Sequence, residues 1–198
     1  MQKIKIAIVF HSGYGHTRKA AELIAERFRA ADAEVHLVDS DAADKAWGTL
    51  HTCDTIIFGC PTYFGTVSAG FKTFMERTGG FWYRQLWKDK FAAAFTVSST
   101  LGGDKQNTLQ TIAVFAAQHS MHWINLGVLP RFCADEQTDG QNRLASYQGL
   151  MIQSDNTQTE VREFHPGDLL TLELFADRIL QVNFKNIIKQ SENEQTIN

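Results

Sequence analysis

The chain has 198 residues, 43% of them hydrophobic, and a formal net charge of -3. That length and apolar content suit one compact domain whose core needs no disulfide staples. The charge offers no basic footprint for nucleic acid and is not acidic enough for a carrier that docks by charge, so the expected partners are small molecules or further copies of the chain.

KIKIAIVF (3–10) is β-rich and nearly all apolar, the pattern of a strand covered on both faces. TRKAAELIAERFRAADA (17–33) sets Ala20, Ala21, Ile24 and Phe28 at helical spacing with charges opposite. EVHLVD (34–39) reads as a second strand and TIIFGC (55–60) as a third, apolar enough to be central. SAGFKTFMERTG (68–79) reads as a helix stopped by Gly79 and Gly80. FAAAFTVSS (91–99) is a fourth strand, 103–121 a long helix, HWINLGVL (122–129) a fifth strand and 169–188 the last helix. The segment from Pro130 to Pro166 is polar and without period, and is expected at the rim of a site or in oligomer contacts. The domain is expected to span 1–188, with KQSENEQTIN (189–198) as a disordered tail.

Strands alternating with helices predict an α/β three-layer sandwich: a five-stranded parallel sheet of order 2-1-3-4-5 with helices on both faces. Cys53, Cys60 and Cys133 are widely spaced, odd in number and without a CxxC pair, which predicts reduced thiols and a cytoplasmic location. The short apolar start runs into a Gly-containing turn with no cleavage site, so it reads as a strand rather than a signal peptide. No segment approaches the roughly 20 apolar residues that span a bilayer.

In an open parallel sheet, ligands bind beyond the carboxyl ends of the strands where the order reverses. The loops there are HSGYGHT (11–17), PTYFGTVS (61–68) and SSTLGGDKQ (98–106), each rich in glycine and hydroxyls. Ser12, Thr17 and the unpaired amides at the start of the following helix can surround a phosphate without Lys or Arg, and Gly13 and Gly15 permit close approach. An ordinary N-cap and tight turn would use the same residues. Pro61, Thr62, Tyr63, Phe64 and Gly65 suit a flat heteroaromatic ring, stacked on one face and bonded by backbone at its edge. Tyr63 and Phe64 could instead pack under the next helix. Ser98, Ser99 and Thr100 could hold a ring edge or polyol chain, or simply start a helix with Asp104 in its first turn. Cys60 reads as a small buried hydrophobe, and His11 as structural or solvent-facing.

Other chemistries lack their residues. The first loop is not GxGxxG, so a dinucleotide site is weak. A receiver domain needs an acidic pair after strand one and an Asp after strand three, where this chain has HSG and CPT. No phosphatase nucleophile is present, and no metal cluster is expected.

Taken together, SGYGHT, FGCPTYFG, FMERTGGFW, SSTLGG and AAQHSM resemble the WrbA-like FMN-dependent NAD(P)H:quinone oxidoreductases of the flavodoxin-like superfamily, in the same order from Lys3 to Gly127. The resemblance implies that Ser12, Gly13, Tyr14, Gly15, His16 and Thr17 bind the FMN phosphate. It implies that Pro61, Thr62, Tyr63, Phe64 and Gly65 lie against the isoalloxazine, and that Ser98, Ser99, Thr100, Leu101, Gly102 and Gly103 contact the ring and ribityl chain. His119 matches a family histidine near the flavin and substrate pocket, here expected to bond a quinone oxygen and to donate a proton; without the resemblance it reads equally well as a core or surface histidine near a helix end. Trp82 matches a tryptophan that reaches a neighbouring subunit's flavin in a homodimer or homotetramer. The implied reaction moves two electrons from NAD(P)H through FMN to a quinone-like small molecule. The alternative is a flavodoxin-like electron carrier or a flavin-binding regulator. The family usually has Arg where Tyr63 stands, and 130–166 diverges.

Overall fold

The computed structural model describes residues 3–131, 140–155 and 163–197. Cys133 lies outside them. The strands are β1 (Lys5–Phe10), β2 (Glu34–Asp39), β3 (Thr55–Tyr63), β4 (Thr66–Val67), β5 (Phe91–Ser98), β6 (His122–Trp123) and β7 (Leu150–Gln153). The helices are α1 (His16–Ala30), α2 (Trp47–Thr52), α3 (Ala69–Arg77), α4 (Gly79–Tyr83), α5 (Lys105–Gln118) and α6 (Pro166–Ile197). The main sheet runs β2-β1-β3-β5-β6, with β7 also on β5 and the short β4 folded back on β3. Its pairings are parallel except β3 with β4.

Alternation along each strand feeds two cores. In β1, Ile6, Ile8 and Phe10 join the layer built by Ala21, Ile24 and Phe28 of α1 and Phe175 and Ile179 of α6. Ala7 and Val9 face the other layer, with Phe71 and Phe74 of α3, Trp87, and Ile112 and Phe115 of α5. Because both faces are covered, β1 and β3 read as continuous apolar runs. The chain passes from β1 to one neighbour and later to the other, so α1 and α3 leave on opposite faces. That reversal opens a crevice at the carboxyl ends of β1 and β3.

The fifth strand differs from expectation. Only His122 and Trp123 pair, opposite Phe91 and Ala92. The ladder resumes with Leu150–Gln153 opposite Phe95–Ser98, so two segments far apart in sequence share one edge. The excursion between them is pinned by buried Asn142. Its Nδ2 donates to Val128 O and Ser146 O, and its Oδ1 accepts from Ser146 N. Gly149 makes the return possible, because a Cβ there would stand 2.5 Å from Ala94 O.

Three smaller departures have local causes. Gly79 and Gly80 open α4 rather than ending a helix, since the Phe81 and Trp82 amides both donate to Thr78 O. A 3-10 turn (Ser40–Lys45) and α2 fill the stretch between β2 and β3, with Asp39 capping the amide of Asp41. The last helix runs to Ile197 instead of stopping at Ile188, and its KQSENEQTI (189–197) contains no Gly or Pro to end it. Among the described residues no helix is long and apolar enough to cross a membrane.

Candidate functional site

A cleft of about 180 Å³ opens at the carboxyl edge of the sheet. Its walls come from all three loops: Gly13, Tyr14, His16 and Thr17 after β1; Pro61, Thr62 and Tyr63 at the end of β3; Ser98 and Ser99 after β5. Val97, Ser154 and Asp155 complete it. Sequence reasoning missed Ser154 and Asp155 because they follow β7, the strand hidden in the aperiodic segment. The one signal was the apolar run LMI before QSD.

The first loop is held in shape from within. Ser12 Oγ accepts from the amides of Gly15 (3.1 Å) and Arg18 (3.2 Å), so Ser12 shapes the loop rather than lining the cleft. Gly15 precedes α1 with φ 93°, a left-handed conformation suited to glycine, and has no side chain with which to cap the helix, so of the first-turn amides Ser12 takes that of Arg18. The amides of His16 and Thr17 have no carbonyl one turn earlier within the helix to receive them. They offer two donors and the positive end of a fifteen-residue dipole to an anion.

The second loop sits on the first. A Cβ on Gly13 would stand 2.4 Å from Tyr63 Oη, and the Tyr14 and Tyr63 rings meet edge to face at 6.2 Å. Burial and then neighbouring Tyr14 raise the Tyr63 pKa, so its phenol keeps its proton and can donate. Thr62 lines the cleft, but its hydroxyl turns inward to Thr96 (2.7 Å) and Thr108 (2.8 Å). Only its backbone is left for a ligand. Phe64, with φ 48°, is fully exposed beside Gly65, so it does not pack under α3. Gly65 O accepts from Asn107 Nδ2 at 2.8 Å, tying this loop to α5.

The third loop contributes Ser98 and Ser99 to the cleft, whereas Thr100, Leu101, Gly102 and Gly103 lie outside its lining and are exposed. Ser98 Oγ is buried and has no hydrogen-bond partner among the described residues. An orphan hydroxyl of that kind costs free energy unless a ligand completes it. His16 Nε2 pairs with Asp155 Oδ1 at 3.0 Å, linking the first loop to the end of β7. Two open amides at a helix start, an orphan hydroxyl and aromatics beside open backbone together suit a molecule with one anionic end and one flat, polar-edged ring.

Two expected residues are elsewhere. His119 caps the far end of α5, and the next residues return to the amino end of β5, where the His122 amide bonds Lys90 O. A helix of fourteen residues is about 21 Å long, so His119 is at the opposite edge of the sheet from the cleft and cannot bond a substrate held there by its own chain. It is 1% exposed, between the rings of Trp87 and Phe115. Thr78 Oγ1 donates its one proton to Met75 O and so accepts from His119 Nε2–H. Nδ1 is then a buried lone pair with no partner among the described residues. Burial lowers the pKa to about 4. The folded pKa lies below the ordinary value, so this group contributes stability above pH 6.5 that is lost as pH falls toward 4. Thermal melts should show wild-type Tm dropping through that window, and His119→Phe should flatten the drop. An equal drop in the variant would assign the acid lability elsewhere.

Trp82 lies toward the carboxyl end of α5 rather than in the cleft lining. It is half exposed on α4, and its carbonyl accepts from Gln85 Nε2, which also reaches Gln118 O. His11 is structural, its Nδ1 paired with Ser68 Oγ at 2.9 Å and its ring against Gly70. Cys60 is a buried thiol, its pKa pushed up to about 12 by burial. Among the described residues, no cluster of three His, Cys, Asp or Glu stands where it could hold a metal ion.

A family model described as a flavodoxin domain matches residues 7–128. The chain is 34% identical over 178 residues to Flavodoxin FldP of Pseudomonas aeruginosa (strain UCBPP-PA14), covering 90% of this chain and 96% of that one. It is 31% identical over 126 residues to an NAD(P)H dehydrogenase (quinone) of Azorhizobium caulinodans, covering 54% of this chain and 63% of that one. The crystal structure of a flavodoxin, WrbA-like protein from Agrobacterium tumefaciens superposes with a TM-score of 0.70 at 34% identity, covering 92% of this chain and 99% of that one.

Proposed function

This chain belongs to the flavodoxin-domain family and is WrbA-like within it, and from that premise we propose that it is an FMN-dependent oxidoreductase passing two electrons from NAD(P)H to a quinone or similar small acceptor. The observation that carries the reading is the convergence of three glycine- and hydroxyl-rich loops on one cleft with the first two amides of α1 and a serine hydroxyl without a partner among the described residues. Bound FMN would supply the hydride and electron chemistry, which no side chain of the cleft can perform.

The protein's part is to bind and orient. The amides of His16 and Thr17, in the loop tied by Ser12, would hold the phosphate. The backbone of Pro61 to Gly65 would meet the ring edge, with the protonated Tyr63 phenol as a donor. Ser98 Oγ would bond the ribityl chain or ring. Tyr14, Phe64 and Leu101, all exposed around this edge, would cover the ring and limit water. His119 has no role in this reading. Trp82, at the other edge, would reach a flavin only across an interface, so the proposal includes a homodimer or homotetramer.

Titrating purified protein with FMN, then adding NADH or NADPH without oxygen and finally a quinone, tests the reading by absorbance. Saturable uptake, rapid bleaching and recovery on quinone addition are the expected results. Uptake with no bleaching by either nucleotide would favour the second reading, an electron carrier or flavin-binding regulator. The full-length similarity to a flavodoxin keeps that reading in play. No uptake would refute both.

A further inference from the structure

Beneath the third loop the fold buries a cation. Lys105, the first residue of α5, is fully buried. Its Nζ donates to the carbonyl oxygens of Thr100 (2.5 Å) and Leu101 (3.2 Å). The position is doubly unfavourable for an ammonium, which loses its water and sits at the positive end of a helix.

The nearby carboxylate does not neutralise it. Asp168, at the start of α6, is taken by Arg143, with Nε on Oδ1 at 2.8 Å and Nη2 on Oδ2 at 2.9 Å. Oδ2 also accepts from the amide of Gln153 at 2.8 Å. Gln153 in turn accepts from Arg143 and donates to Ser99 O at 3.0 Å. Two cations and one carboxylate therefore underlie the loop. Burial lowers the Lys105 pKa to about 8; Asp168 acts to raise it and Arg143 to lower it further.

Peptide geometry then decides what the loop shows to the outside. The chain has no cis peptide bonds among the described residues, and a trans peptide carries its C=O and N–H on opposite sides. With the carbonyls of Thr100 and Leu101 drawn onto Nζ, the N–H groups of the same two units, on Leu101 and Gly102, are turned away from it. Both residues are exposed. Successive outward amides backed by positive charge form an anion-favouring wall.

We propose that Lys105 is the positioning residue of this loop: it pulls two carbonyls inward and so presents the amides of Leu101 and Gly102, outside the cleft lining, as paired donors to the electron-rich edge of a flavin ring that extends past the cleft. The ring as occupant rests on the function proposed above.

Two measurements test it. The first is FMN affinity by fluorescence quenching from pH 7 to 9, above the roughly pH 6 second ionisation of a phosphate monoester. Wild type should bind about tenfold more weakly at pH 9 than at pH 7, the change that one unit of coupled pKa shift produces. Lys105→Met should bind about tenfold more weakly at pH 7 and show no step. The second follows the Leu101 and Gly102 amides by NMR in the FMN-free chain. Both should titrate near pH 8 in wild type and not in the variant. FMN uptake with a flat wild-type profile, or with the same profile in Lys105→Met, would overturn the inference and leave the flavin reading intact. Amides that titrate in a chain taking up no FMN would overturn the flavin reading and keep the loop geometry. Should Lys105→Met not fold, the wild-type profile and its amide titration decide the matter alone.

Discussion

Thr17→Asp should abolish FMN uptake while leaving the fold in place. Thr17 lies in the first turn of α1 and lines the cleft. A carboxylate there would satisfy the same amides that are proposed to receive the phosphate. Two like charges about 4 Å apart at an effective dielectric of about 20 repel by about 4 kcal/mol, and every 1.4 kcal/mol or so is tenfold in affinity. Allowing for screening, the loss should be at least about a hundredfold. Thr17 is buried, so desolvating the carboxylate costs more than the about 0.3–1 kcal/mol that a negative charge gains at a helix N-terminus, and a lowered Tm with a retained fold is expected. Riboflavin, which carries no phosphate, is the control. Its affinity should fall far less than that of FMN. Equal losses for the two ligands would mean that the first loop holds something other than the phosphate.

Phe58→Ala should cause the largest loss of stability. Phe58 is fully buried on β3, and its ring lies 5.5 Å from that of Phe115, 6.3 Å from Trp87 and 6.4 Å from both Phe71 and Phe74. One ring therefore joins α3, α5 and the segment before β5 to the centre of the sheet. Removing it costs the transfer of the ring plus the cavity left behind, about 3–5 kcal/mol. That is a large part of a typical 5–15 kcal/mol. The neighbourhood cannot easily close, since the aromatic rings around it pack against one another. Urea melts of the FMN-free chain should show the loss as a lower midpoint at unchanged slope. Phe58→Leu should cost less, because it restores most of the volume. A loss under about 1 kcal/mol for the alanine variant would mean that the cluster collapses into the gap.

The position next to Phe58 shows how tightly the same strand is built. A Cβ on Gly59 would stand 2.1 Å from Cζ of Phe95 on β5. The glycine in FGCPTYFG is thus a packing requirement of the central sheet, one strand residue before the loop that faces the cleft. The motif is read by the core and by the site at once.

What the sequence determined by itself was whatever repeats at short range. Continuous apolar runs specified the central strands, since both faces of a parallel sheet are covered. Helical periodicity specified α1 and α5. Glycines and hydroxyls after three strands marked the three loops, and parallel-sheet topology alone brings those loops to one edge. Most of the candidate cleft was therefore legible before any coordinates.

Only the tertiary structure decided the rest, because it depends on contacts between residues far apart in the chain. The edge strand is shared between 122–123 and 150–153, and a four-residue run has too few positions to show a period. That unseen strand carries Ser154 and Asp155 into the cleft. His119 and Trp82 sit in motifs that point to the site, yet the length of α5 and the reversal at Thr78 place both at the opposite edge. Nothing in the sequence marks Lys105 as buried. Its burial follows from the third loop folding over it, with Asp168 and Arg143 arriving from 63 and 38 positions further along the chain. Pattern predicts which face of an element is apolar; which polar groups become trapped between elements is settled only when those elements meet.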